Sequence, residues 1–127
     1  MSKVIKPGQH GILDYALAFL FLLAPSIFNF PDNAATLSYV VGVAYLATSL
    51  ITRYPLGLWK VLPFPTHGVI ESIMAAAWIA APWLFGFSAH GPARNFFVLA
   101  GVGLLLVVAL TDYKSRATAT ETRLGHA

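Results

Sequence analysis

The sequence has no cysteine, which excludes disulfides, thiolate metal sites, iron–sulfur clusters and cysteine nucleophiles. It is also poor in charge. Only 10% of its residues are Asp, Glu, Lys or Arg, where soluble domains carry about a quarter. Neither a soluble globule nor a disordered chain fits that figure, because 57% of the 127 residues are hydrophobic and the mean hydropathy is +0.71. A Ser-His-Asp set, a Walker loop, a dinucleotide glycine fingerprint and a metallohydrolase motif are likewise missing, so no enzyme class is indicated and no cofactor is called for.

What the chain does contain is four uncharged runs, over 15–30, 33–52, 72–93 and 95–111. At ~1.5 Å per residue, helices of this length approach the ~30 Å hydrocarbon thickness once their polar flanks join them. Val98 to Leu110 has no polar face at all, as expected of a helix whose solvent is lipid. The fold expected is all-α, a bundle of four transmembrane helices in one membrane domain, followed by a flexible tail over 114–127.

The first run could be mistaken for a signal peptide, since Lys3 and Lys6 precede it. An internal repeat argues against that. His10-Gly11-Ile12-Leu13-Asp14 returns as His67-Gly68-Val69-Ile70-Glu71, and Ala24-Pro25 to Phe30 returns as Ala81-Pro82 to Phe87, in one register. After a two-residue insertion, Gly42-Val43 matches Gly101-Val102 and Thr52-Arg53-Tyr54 matches Thr111-Asp112-Tyr113. The unit is a helical hairpin, with one copy over 8–54 and the other over 65–113. Two helices separate the copies, so they enter the bilayer from the same side as parallel repeats.

Charge then orients the bundle. Lys3, Lys6, Arg53, Lys60, Lys114, Arg116 and Arg123 fall on the side of the termini and the central loop, with Arg94 opposite. The positive-inside rule puts both termini in the cytoplasm. The same distribution argues against nucleic acid as the partner of a chain with net charge +3, because the cations flank spans instead of forming a stripe. The lipid bilayer is the partner expected, with a homo-oligomer or a larger membrane complex left open.

Local chemistry suggests helix boundaries. Thr66 is expected to cap the third helix and Asp32 or Asn33 the second, with Pro92 opening the fourth. Pro25 and Pro82 should kink or end helices one and three near the outer surface. Trp83, Phe85, Phe87, Trp59, Tyr54 and Tyr113 are placed at the two interfaces as anchors.

The polar residues carry the open question. His10 with Asp14 and His67 with Glu71 are i, i+4 pairs, and symmetry brings both to one membrane side. Two histidines and two carboxylates on two helices make His10, Asp14, His67 and Glu71 candidate ligands of a divalent metal. Axial haem ligation by the two histidines and a proton relay are further readings. The plainer alternative is that each carboxylate sits in the first turn of its helix, favoured by the dipole and bonded to its own histidine. Arg53 and Asp112, matched in position and opposite in sign, complete the candidate polar cluster; Arg53 or a histidine is expected to partner Asp112 or Glu71 and so join the hairpins. Ser72, Ala76 and Ala80 form a small-residue stripe on helix three, read as internal packing ahead of a dimer seam.

The His-Gly-x-x-Asp/Glu start, the helix closing in Pro-Trp-Leu-Phe-Gly-Phe and the Thr-Asp-Tyr ending resemble the bacterial SPW-repeat membrane proteins, over about residues 8 to 113. Of the Ser-Pro-Trp signature, Ala81-Pro82-Trp83 keeps Pro82 and Trp83, and Ala24-Pro25-Ser26 keeps Pro25. The resemblance implies a four-span inner-membrane protein with a duplicated hairpin and brings no catalytic residues. A structural or interaction module, such as an accessory subunit of a membrane assembly, is the function expected; the alternative is a small transporter, channel or metal- or redox-binding protein using the histidine–carboxylate cluster.

Overall fold

In the computed structural model, residues 3–113 are described, and the expected tail over 114–127 lies outside them. The chain forms four helices: α1 (Pro7–Phe28), α2 (Asp32–Leu50), α3 (Phe64–Leu84) and α4 (Gly91–Leu110). No strand is present among the described residues beyond isolated bridges. α1 pairs with α2 and α3 with α4, giving two hairpins.

Helices α1 and α3 begin earlier than expected because proline favours a first turn, where its missing N–H costs nothing. Pro7 opens α1, and Pro65 lies in the first turn of α3 after Pro63 as its N-cap. Thr66 is therefore inside α3 and does not cap it. Pro31 is the N-cap of α2, with Asp32 in the first turn. In α4 the cap is His90, whose Nδ1 accepts from the Ala93 N–H at 3.1 Å, and Pro92 follows in the first turn.

The C-terminal ends of α1 and α3 close alike. The Phe30 N–H bonds the Pro25 carbonyl at 3.1 Å and the Phe87 N–H bonds the Pro82 carbonyl at 2.8 Å, the long backward bond that caps helix ends. The left-handed residue each turn needs is Asn29 (φ 50°) in one and Gly86 (φ 76°) in the other. Pro25 cannot donate to the Phe21 carbonyl one turn back, and the Ser38 hydroxyl of α2 donates to that oxygen instead, at 2.5 Å.

The interior stripe of α1 is Pro7, His10, Gly11, Asp14, Ala18, Phe21, Ala24 and Pro25. That of α3 is Phe64, His67, Gly68, Glu71, Ala75, Trp78, Ala81 and Pro82, which matches it position for position. Helices α2 and α4 bury Gly42 and Gly101 at corresponding places. A side chain at Gly42 would meet Leu22 at 2.7 Å and the Ala18 carbonyl at 3.2 Å, and one at Gly101 would meet the Ala75 carbonyl and Ile79, both at 2.6 Å. Within each hairpin, glycine permits the close approach.

Polarity is inverted relative to a soluble bundle. Histidine, aspartate and glutamate are inside, while Leu99 (69% exposed), Ile73 (66%), Val43 (61%) and Phe19 (51%) face outward. α1, α2 and α4 are long and apolar enough to cross a membrane. α3, at 21 residues, is as long but is not among them, and Thr66, His67, Glu71 and Ser72 lie in its first half. The outward-facing apolar surface is what a lipid solvent requires.

Two sequence expectations change here. Ala76 is exposed and Ser72 and Ala80 half-buried, so the small stripe is not the internal contact of α3; the buried face is that of Glu71, Ala75 and Trp78. Of the expected anchors, Trp59 (62% exposed), Trp83 (60%) and Phe85 are outside, but Phe87 and Tyr54 are buried as core residues.

The chain start, the central connection and the end of α4 meet at one end of the bundle. Ile5 bridges to Thr111 and Leu62 to Thr52. Each is fixed by two backbone bonds: the Ile5 N–H to Leu110 O at 3.0 Å and the Asp112 N–H to Ile5 O at 2.9 Å, and the Leu62 N–H to Ile51 O at 2.7 Å and the Arg53 N–H to Leu62 O at 2.8 Å. The segment leading into each hairpin is thus tied to the last residues of the other. At the opposite end, Asn33 Nδ2 in the first turn of α2 donates to the Phe85 carbonyl at 2.7 Å, joining α2 to the connection between α3 and α4.

Candidate functional site

Because the lead-in segments are exchanged, the first turns of α1 and α3 face one another. His10, Asp14, His67 and Glu71 meet between them with no solvent-exposed surface, and one ligand atom from each lies within 4.8 Å of all the others. The two carboxylates stand two turns into their helices. The expectation of a first-turn anion held by the helix dipole is therefore corrected: each carboxylate is held by side chains.

The pairing is crosswise as well as local. His10 Nε2 lies 2.9 Å from Glu71 Oε2 and 3.2 Å from Asp14 Oδ1. His67 Nε2 lies 3.0 Å from Asp14 Oδ2 and also contacts Glu71 Oε1. Each histidine so touches both carboxylates, and the two hairpins are fastened to one another through these side chains.

The outer ring nitrogens are equally defined. His10 Nδ1 lies 2.8 Å from Thr111 Oγ1 and His67 Nδ1 lies 2.5 Å from Thr52 Oγ1. Each threonine hydroxyl has one hydrogen, which it donates to the carbonyl one turn back: Thr111 to Val107 O and Thr52 to Thr48 O, both at 2.6 Å. The hydroxyl oxygens must then accept, so both Nδ1 atoms carry a hydrogen and both Nε2 atoms are turned to the carboxylates.

Tyrosines hold the carboxylates from the other side. The Tyr45 hydroxyl donates to Asp14 Oδ1 at 2.6 Å and lies 3.3 Å from Glu71 Oε1, and the Tyr54 hydroxyl donates to Asp14 Oδ2 at 3.1 Å. Burial, with the nearby Asp14 charge adding to it, raises the pKa of Tyr54 above the usual phenol range; burial and Glu71 do the same for Tyr113. Both remain neutral phenols. Phe64 closes the cluster, its ring edge-on to His10 at 5.1 Å and 4.5 Å from the ring of Tyr113.

Four of the six candidate residues are thus brought together. Arg53 is not among them: it is exposed, and its Nε donates to the Lys60 carbonyl at 2.9 Å. Asp112 is half-buried and lines a surface cavity of about 330 Å³ with Lys3 and Lys6. Of the expected ties between the hairpins, it is the one from a histidine to Glu71 that the structure has, made by His10 at 2.9 Å. Pro25 and Pro82 are buried at the outer ends of α1 and α3, and Trp83 projects outward there.

The haem reading is overturned by the same geometry. The histidine rings are 5.6 Å apart at 75°, and the carboxylates occupy the space between their Nε2 atoms where a macrocycle would have to lie. Sequence reasoning gave Thr52, Thr111 and Tyr45 no part in the site and read Tyr54 as an interface anchor. The two threonines had a signal, being identical in both copies beside the Arg53 and Asp112 that drew attention.

No curated protein and no solved structure is significantly similar to the chain. The sequence model of the SPW repeat domain matches residues 8–120, covering the hairpins, the buried cluster and both proline-closed helix ends; the chain belongs to the SPW repeat family.

Proposed function

We propose that this small membrane protein is a structural or interaction module of the bacterial inner membrane, an accessory subunit in type, built as a duplicated hairpin whose four helices all cross the bilayer. The observation that carries this reading is the closure of the polar cluster. His10, Asp14, His67 and Glu71 have no exposed surface, and their polar atoms are taken up by one another, by two threonines and by two tyrosines. A channel or carrier needs its intramembrane ionisable groups to face a path. A closed cluster supports a clasp that makes two hairpins one rigid body.

Duplication is supported by the one-for-one match of buried positions in α1 and α3 and by the equivalent glycine contacts in the two hairpins. Crossing by α3 is supported by its pairing along α4, which is long and apolar enough to span. A cytoplasmic location of both chain ends is supported by Lys3, Lys6, Arg53 and Lys60 at the end of the bundle where the lead-in segments meet.

Purification of the tagged full chain in mild detergent, followed by native mass spectrometry, tests the reading. A stoichiometric complex, with a second protein or with further copies of the chain, is expected. A solitary chain at every detergent concentration, including after cross-linking in native membranes, would contradict it.

A further inference from the structure

The clasp needs no ion, yet its donor atoms are arranged as a cation site would need them. We propose that His10, Asp14, His67 and Glu71 form a closed four-coordinate site for a divalent first-row transition ion, with Zn²⁺ the best fit.

Three observations carry this. The first is the tautomer. In metal sites a ligating histidine donates its other ring N–H to an acceptor that fixes the ring and its basicity. Thr111 and Thr52 do this for His10 and His67, and their own hydrogens are committed to backbone carbonyls. Both Nε2 atoms are left aimed at one point between the helices.

The second is distance. Bonds of ~2.0–2.1 Å in a tetrahedron set donor atoms ~3.3–3.5 Å apart. The separations found are 2.9 Å for His10 to Glu71, 3.0 Å for His67 to Asp14 and 3.2 Å for His10 to Asp14. His67 and Glu71 are in closer contact than these three pairs, so the ion enters as the four side chains move apart, most at His67 and Glu71, with one oxygen of each carboxylate turned to it. The third is the outer layer around the carboxylates. Tyr45 and Tyr54 hold both oxygens of Asp14, and Tyr45 approaches Glu71 Oε1, so three of the four carboxylate oxygens are oriented by a phenol.

The donor set narrows the ion. Two imidazoles and two carboxylates, with no thiolate in the chain, suit Zn²⁺, Mn²⁺ or Fe²⁺ and not Cu⁺. The two carboxylates supply the charge a divalent ion requires. With all four residues fully buried there is no open coordination position, so the ion is structural and not catalytic.

The test uses the full chain in detergent, stripped with a chelator and titrated with Co²⁺ and then Zn²⁺. One Co²⁺ per chain is expected, with the visible absorption of a four-coordinate ion, displaced by Zn²⁺, and Zn²⁺ alone should raise the melting temperature. The variant His90→Ala/His126→Ala, which removes the other two of the four histidines, should bind as the native chain does. Glu71→Gln should lose the absorption. Should that variant fail to fold, Thr52→Val keeps all four ligands and is expected to weaken binding ~10–100-fold. Absence of both the absorption and the melting shift in the native chain would overturn the site. So would binding abolished in the His90/His126 variant, or binding at native affinity in Thr52→Val.

Discussion

His10 and Thr111 are 101 residues apart in sequence and 2.8 Å apart in space, and His67 and Thr52 repeat the contact in the opposite sense. Each hairpin supplies the histidine that the other hairpin's last turn positions. The exchange makes the two halves interdependent, since neither completes its own cluster.

Removal of either hydroxyl should be costly and similar at both positions. Thr52→Val or Thr111→Val leaves a buried histidine Nδ1–H without an acceptor, a loss of about 1–3 kcal/mol. Unfolding of each variant in detergent is expected to show comparable destabilisation, with the double variant departing from the sum because both threonines serve one hydrogen-bonded network. A silent effect at one position would mean that the two halves are not equivalent.

Gly42 of α2 and Gly101 and Gly103 of α4 should rank by what a methyl group would meet. At Gly101 the obstacle is the Ala75 backbone carbonyl at 2.6 Å, which cannot rotate away; at Gly42 the nearest atoms belong to the flexible end of Leu22 at 2.7 Å; at Gly103 nothing lies within 4 Å. Gly101→Ala should therefore cost the most, about 1–3 kcal/mol. Gly42→Ala should cost less. Gly103→Ala should be neutral or stabilising, as alanine is the better helix former by ~1 kcal/mol. Melting temperatures of the three variants, compared in one detergent, check the order.

Topology has a direct readout because the native chain has no cysteine. Leu58→Cys lies in the exposed central connection and Ala89→Cys in the exposed outer loop. In intact cells with a permeabilised outer membrane, an impermeant maleimide should label position 89 and spare position 58. Lysis should expose both. Labelling of the two positions together before lysis would invert the assignment of the central connection.

How much of this was legible beforehand depends on what kind of signal each residue carries. Apolar runs disclosed four helices, and the matched His-Gly-x-x-Asp/Glu starts disclosed that His10, Asp14, His67 and Glu71 belong together. The helix starts were misjudged because Thr66 was taken as the cap of the third helix, whereas Pro7 and Pro65 lie in the first turns of α1 and α3. That error pushed both carboxylates toward the helix ends and made a dipole explanation attractive. Crosswise pairing was beyond reach, since an i, i+4 spacing speaks only of one helix, whereas His10 meets Glu71 through the exchange of lead-in segments. Attention to Arg53 and Asp112 followed charge; the informative neighbours were Thr52 and Thr111, whose identity in both copies reflects a shared task. Tyr45 had no such marker, because Leu104 stands in its place in the second hairpin.

The fastening of the two hairpins by His10 and Glu71 is tested most directly by a double-mutant cycle on unfolding in detergent, with His10→Ala, Glu71→Gln and the pair. Breaking one partner of a buried ionic contact costs about 3–5 kcal/mol. The combined variant is expected to fall short of the summed single losses by about 0.5–3 kcal/mol, the range for groups in direct contact. Losses that add to within ~0.3–0.5 kcal/mol, as they do for distant residues, would contradict it.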